Sequence, residues 1–318
     1  MNRLRRWLGW ALAAALATYF VWFASRNLDT RTLAMLGSAK VLAAVVAAAL
    51  LYATIIPVTA WAWVRLLARQ DENWRAGQLA VMLGRIQLAK YIPGNVAQHA
   101  LRATLALQAG MGGRALTVTV VQETVLAIAA SVLVGVAALA ISAPGLEQLP
   151  ESSRRWLFSA GIALAVLVLV LSLFDLPPDR LRASRFRLAR ALAGFGGLPG
   201  ASTVVPALAA YALNYLVIGV GLWLVARAAG APTALDLPVA TAVFALAWLL
   251  GFLAPGAPAG LGMREGIMTL LLAGVVPASD ALAFVLLARV VTLVGDALIY
   301  LTSMGAILAS GPGPRKEA

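Results

Sequence analysis

The 318-residue sequence has no cysteine and one histidine, His99. The first absence excludes a disulfide scaffold, a thiolate nucleophile and a Cys-ligated zinc or iron–sulfur centre, and the second leaves no His-based metal cluster. Charge is also scarce, at 12% of residues, against 62% hydrophobic residues. With a mean hydropathy of +0.88, that balance excludes a water-soluble domain of this length and requires a polytopic membrane protein. Acidic residues are the rarer sign, 13 against 25 Lys and Arg, for a net charge of +12. In a membrane protein such an excess sets orientation and contact with anionic phospholipids rather than with nucleic acid.

Six apolar runs are long enough, at about 17 to 25 residues or more, to cross a ~30 Å hydrocarbon layer as helices. They are Trp7 to Ala24, Val41 to Leu67, Arg114 to Ile141, Trp156 to Phe174, Ser202 to Ala226 and Ala281 to Leu308. The first follows Arg3, Arg5 and Arg6 but outlasts a signal-peptide core, so an uncleaved anchor is expected. Two further apolar segments, residues 76 to 110 and 238 to 276, are interrupted at Pro93-Gly94 and Pro255-Gly256. If both turn back, with the N-terminus inside, 13 Lys and Arg fall on the cytoplasmic side and six outside. If both cross, the basic loop at 175–200, with Arg180, Arg182, Arg185, Arg187 and Arg190, moves outside against the positive-inside rule. A multi-pass protein of the bacterial cytoplasmic membrane is expected, with both termini cytoplasmic.

Alignment on the two Pro-Gly pairs sets residues 89–95 against 251–257, each followed nine residues after the proline by an arginine, Arg102 or Arg264. The flanking spans match in order. The expectation is an all-α integral membrane bundle of six to eight transmembrane segments in one domain, 1–318. It would be built from two inverted repeats, 7–141 and 155–308, each carrying a broken or re-entrant segment.

Backbone groups freed by a break inside a bilayer must line a cavity or pack on protein. The break residues are Pro93, Gly94, Pro255, Gly256, Gly260, Gly262 and Gly266, and half-helix N-termini at such breaks favour an anion. A simply kinked helix or an interfacial loop is the competing arrangement. Charged residues within or near apolar runs are expensive and face the protein interior, a partner or a substrate. Here they are Arg85, Arg102, Glu123, Arg264, Glu265, Arg289 and Asp296. Glu123 either pairs structurally with Arg102 or Arg85, or acts functionally. Arg264 and Glu265, as sequence neighbours, point to different helix faces, so each needs another partner, and a phosphate suits a guanidinium. Arg289 and Asp296 share one helix face and are expected to pair. His99 is expected to be a hydrogen-bonded interior group, and Trp7, Trp10, Trp22, Trp61, Trp63, Trp74 and Trp156 interfacial anchors. Asn214 and Tyr215 suggest hydrogen bonds across helices. No catalytic residue, metal site or cofactor is expected.

The stretch Gln87 to Asn95, then Arg102 and Glu123, and the Pro-x-Gly-Leu-Gly-x-Arg-Glu-Gly run from Pro258 to Gly266 resemble the lysylphosphatidylglycerol synthase transmembrane-region family, also called flippase-like domain proteins. The resemblance covers about residues 7 to 308. It implies a membrane domain that translocates a lipid or lipid-linked headgroup, with Tyr91, Arg102, Glu123, Arg264 and Glu265 as matched positions and Arg85 added here as a further substrate-binding candidate. Ala259 stands where the family often has glycine. Ten residues follow Leu308, so the soluble aminoacyl-transfer domain of the long members is expected to be absent and the chain is not expected to be an enzyme making lysyl-lipid. An integral-membrane enzyme acting on lipid-linked sugars or lipid phosphates, or an accessory subunit of a separately encoded lipid-modifying enzyme, is the alternative.

Overall fold

The computed structural model describes residues 37–91, 97–142, 199–253 and 262–309, with a few isolated positions outside these ranges. The expected spans at Trp7–Ala24 and Trp156–Phe174, the basic loop, and the break residues Pro93, Gly94, Pro255, Gly256 and Gly260 lie outside the described residues, or almost wholly so. Within them the protein is all helical. The α-helices are α1 (Ala39–Ala53), α2 (Ile55–Ala68), α3 (Ala76–Arg85), α4 (Ala97–Gln108), α5 (Gly113–Ile141), α6 (Ala201–Ala228), α7 (Leu237–Leu253), α8 (Met263–Leu272) and α9 (Ala278–Ala309), and a 3-10 helix, Gln87–Tyr91, follows α3.

Four apolar helical stretches are long enough to span a bilayer: α1 with α2 (Ala39–Ala68), α5, α6 and α9. Their 28 to 32 residues reach roughly 42 to 48 Å at 1.5 Å per residue, enough for the hydrocarbon layer and part of both headgroup zones. They coincide with four of the runs expected from sequence. The protein is therefore a polytopic helical membrane protein. By contrast α3, α4 and α8, at 10 to 12 residues, reach only about 15 to 18 Å, and none can cross alone.

Local chemistry sets these boundaries. Ser38 caps α1 by accepting from the Val41 amide at 3.4 Å. The first long stretch is jointed at Thr54, whose hydroxyl donates back to the Leu51 carbonyl at 2.7 Å, and Pro57 brings no N–H to continue the helical ladder there. Asp236 caps α7 through the Val239 amide at 2.7 Å and accepts from the Ser142 hydroxyl at 3.2 Å, tying the end of α5 to the start of α7. Glu72 holds the turn between α4 and α5, accepting from the Gly112 amide at 2.7 Å and from Trp74 Nε1 at 2.9 Å.

One order of elements occurs twice: a long span, a further helix, a short helix, a tight turn, and a second long span. In the first copy these are α1–α2, α3 with the 3-10 helix, α4 and α5; in the second, α6, α7, α8 and α9. The tight turns correspond in detail, since Gly110 (φ 92°) and Gly274 (φ 80°) each adopt the left-handed conformation that an L side chain resists. Gly262 is the N-cap of α8, whereas Gly266 lies inside α8 and breaks nothing, correcting its assignment as a break residue.

The copies interlock. Helix α7 is apolar all round and packs against α5, α6 and α8, burying most of its residues while Leu250 and Leu253 near its C-terminal end stay exposed. Ser131 of α5 donates to the Ala245 carbonyl of α7 at 2.7 Å. Close crossings use small residues: Gly221 of α6 meets Ala48 of α1, where an added Cβ would lie 3.2 Å from the alanine methyl, and Gly295 of α9 lies against the ring of Tyr52. Large apolar side chains such as Leu50, Val125, Leu213, Leu250 and Leu301 point outward, the inverse of a soluble protein.

Candidate functional site

The helices enclose a cavity of about 540 Å³, within the ~300–1,000 Å³ usual for ligand sites. Both copies line it. The first brings Tyr52, Lys90, Tyr91, Arg102 and Glu123, and the second Tyr211, Asn214, Trp248, Arg264, Arg289 and Asp296. One wall is aromatic, with Trp248 stacked on Phe252 at 5.3 Å and meeting Tyr215 edge-on at 5.4 Å.

Three ion pairs lie at or behind this surface. Arg102 of α4 grips Glu123 of α5 with both terminal nitrogens, Nη1 to Oε1 at 3.1 Å and Nη2 to Oε2, and both side chains are largely enclosed. Its guanidinium lies 3.8 Å above the ring of Trp63, which is fixed from behind by donating Nε1–H to Thr119 at 2.9 Å. In the second copy the signs are exchanged. Glu265 on α8 supplies the anion and Arg289 on α9 the cation, 3.5 Å apart, and the other Glu265 oxygen caps α8 by accepting from the Gly262 amide at 2.7 Å.

The third pair joins the copies. Asp296, fully buried in α9, accepts from Tyr52 Oη at 3.0 Å, Gln87 Nε2 at 3.0 Å and Lys90 Nζ at 2.7 Å through Oδ1, and from Tyr91 Oη through Oδ2. Lys90 supplies the only positive charge among these donors.

Arg264 stands apart. Among the described residues its guanidinium makes no ion pair; its contacts are the Thr292 hydroxyl at 3.4 Å and the face of Phe244 at 5.4 Å. Its Nε is buried without a hydrogen-bond partner. Among the described residues the cations Lys90, Arg102 and Arg289 each have a carboxylate, so four cations meet three carboxylates there and the excess charge is Arg264.

The family described as lysylphosphatidylglycerol synthase TM region matches residues 10–299 of the sequence. The chain belongs to that family. No curated protein matches it. As a member of the lysylphosphatidylglycerol synthase TM-region family it is a membrane protein of lipid-related function.

Of the residues singled out from sequence, Tyr91, Arg102, Glu123 and Arg264 line the cavity. Glu265 is 4% exposed and is not among the lining residues, so it serves to hold Arg289 and the start of α8. Glu123 pairs with Arg102, one of its two expected partners. Arg85 ends α3 with its side chain exposed and does not line the cavity, so it is removed from the site. The expected Arg289–Asp296 pair is also corrected. Seven residues of helix separate the two by about 10 Å along the axis, and each reaches a neighbouring element instead. His99 is not an interior group; it is exposed and borders the cavity. Trp63 is no interfacial anchor, being fully buried beneath Arg102, whereas Trp61 is exposed and carries Arg65 over its ring at 4.2 Å. Asn214 and Tyr215 do bond across helices, to Thr59 at 3.0 Å and to the Ala127 carbonyl at 3.2 Å.

Sequence reasoning missed the role of Lys90, the assembly around Asp296 and the seat of Trp63. The signal for Lys90 was present, as a charge in an apolar segment three residues before the Pro-Gly pair. Tyr52 and Gln87 carry no comparable mark, because tyrosine and glutamine are ordinary in such runs.

Proposed function

We propose that this protein is a flippase-like carrier, not an enzyme, that moves an anionic lipid or lipid-linked headgroup across the bacterial cytoplasmic membrane. Arg264 carries the proposal. A cavity-lining guanidinium whose Nε is buried, which lacks a carboxylate partner among the described residues and is the excess cation among them, is a site for an anion, and a phosphate accepts its paired N–H donors. The aromatic wall of Tyr215, Trp248 and Phe252 supports the reading by offering apolar surface beside the charges. The doubled order of helices around one central site supports alternating access, in which the two copies rock about the bound headgroup. A bilayer orientation with both termini and the basic loop cytoplasmic belongs to the same proposal, as do anionic phospholipids as its surroundings. A separately encoded lipid-modifying enzyme is the partner class that would supply or consume the carried lipid.

The test is headgroup accessibility in proteoliposomes, using fluorescent phosphatidylglycerol, a polyprenyl phosphate and phosphatidylcholine. The proposal expects protein-dependent translocation of at least one lipid with net negative charge and little of the zwitterionic one. Equal translocation of all three would mean nonspecific scrambling.

A further inference from the structure

Three of the four groups that donate to Asp296 come from one short segment. Gln87, Lys90 and Tyr91 lie on the 3-10 helix Gln87–Tyr91. Asp296 is fully enclosed near the middle of a long apolar helix, and among the described residues the ammonium of Lys90 is the cation paired with it. Lys90 has a second exposure, since its side chain also lines the cavity and is 20% accessible there. Arg264 and Arg289 act on it electrostatically from across that space. An anion entering among Lys90, Arg264 and Arg289 therefore competes with Asp296 for one ammonium. A buried carboxylate that loses its counter-charge takes up a proton rather than remain ionised in a low dielectric.

We infer that Asp296 is a proton-coupling site: loading of an anionic phosphate headgroup onto Lys90, Arg264 and Arg289 is accompanied by uptake of one proton by the Asp296 carboxylate. This rests on the proposal that the cavity carries an anionic headgroup. The step balances. One O–H bond forms at Asp296 with a proton from water, Lys90 stays protonated and turns its N–H donors from carboxylate to phosphate, and no other covalent bond changes. A monoanionic phosphate and one proton together add no net charge, so the loaded and empty site carry the same charge through the membrane. Anion and proton cross together, and a proton gradient can drive the lipid without a nucleotide.

The groups around the carboxylate fit this assignment. Tyr52 faces it from α1, Lys90 and Tyr91 from the 3-10 helix, and Arg264 and Arg289 from α8 and α9 across the cavity. Helix α3 presents the buried apolar residues Leu79, Met82 and Leu83. From α6, Tyr211 and Tyr215 border the same cavity, and Tyr215 donates to Ala127. His99 stands with Arg102 and Glu123 instead, so it is a separate group and serves as the control. Coupling is reciprocal: if the anion raises proton affinity at Asp296, the proton raises anion affinity by the same factor. Anion binding should therefore weaken as pH rises, by up to tenfold per pH unit where one proton is taken up.

The experiment is titration calorimetry of the purified full chain with dihexanoyl-phosphatidylglycerol, in two phosphate-free buffers of different ionisation enthalpy. The difference in heat gives the number of protons bound. Wild type and His99→Gln should take up close to one proton per lipid. Asp296→Asn should bind the lipid more tightly, because Lys90 is no longer shared, and take up none. Lys90→Gln should bind weakly and also take up none, since the ammonium that the anion would draw away from Asp296 is already missing. It keeps the carboxylate and covers the case in which Asp296→Asn fails to fold, with size exclusion reporting folding. Lipid binding by the wild type without proton uptake overturns the coupling and leaves the carrier proposal standing. Uptake that persists in Asp296→Asn, or vanishes in His99→Gln, also overturns it. A folded wild type that binds no anionic lipid removes the anion site and both proposals with it.

Discussion

Replacing Glu123 by alanine would leave Arg102 buried over Trp63 with no carboxylate. The charge centres of a two-pronged pair lie about 4 Å apart, where attraction is about 4 kcal/mol at the effective dielectric near 20 that suits partly enclosed protein sites. Trp63 retains part of the loss, because a desolvated cation on an indole face is worth about 1–2 kcal/mol. The net destabilisation is therefore about 2 to 3 kcal/mol, at the lower edge of the ~3–5 kcal/mol typical for breaking a buried pair. Domains of 150 to 250 residues lose roughly 2–4 °C of melting temperature per kcal/mol, so Glu123→Ala should melt about 4 to 12 °C lower in detergent. Tryptophan fluorescence is a suited readout, since Trp63 lies directly under the guanidinium. Replacing both partners with methionine should recover much of the loss, because it removes the uncompensated charge as well as the attraction. A melting temperature unchanged in Glu123→Ala would refute the argument and show the carboxylate to be hydrated and unnecessary to Arg102.

Two further outcomes are expected. With no native cysteine to remove, single cysteines at Ala183 and Ser310 should react with an impermeant maleimide only from the cytoplasmic side, and one at Ser152 only from outside; labelling of Ala183 from outside would contradict the inverted arrangement. Gly295→Val should push a side chain into the Tyr52 ring, displace the hydroxyl from Asp296 and destabilise by about 1–3 kcal/mol, read as a lower melting temperature; wild-type melting would show that α1 and α9 can separate freely.

Membrane spans are the part of this fold most legible in sequence, because a bilayer demands long apolar helices and the chain supplies them uninterrupted. Val41–Leu67, Arg114–Ile141, Ser202–Ala226 and Ala281–Leu308 each fall within a described helical stretch. The short helices α4 and α8 were anticipated from Pro-Gly and the arginines that follow. Partnership was less legible. Arg289 and Asp296 look paired on a helical wheel, but pairing across a bundle depends on which helices adjoin, and periodicity says nothing of that. Helix contacts bring Glu265 to Arg289 and the 3-10 helix to Asp296. Trp63 was misplaced for a related reason, since a tryptophan near a span end suits the interface unless a neighbouring helix covers it, as α5 does here through Thr119.

The most direct test of the central claim is translocation of an anionic lipid by Arg264→Gln and Arg264→Lys in proteoliposomes, alongside wild type and with size-exclusion profiles of each. If the unpaired guanidinium holds the headgroup phosphate, Arg264→Gln should run as a folded species and lose translocation. Arg264→Lys should recover little, because an ammonium cannot reproduce the paired N–H donors. Wild-type rates in folded Arg264→Gln would contradict the account.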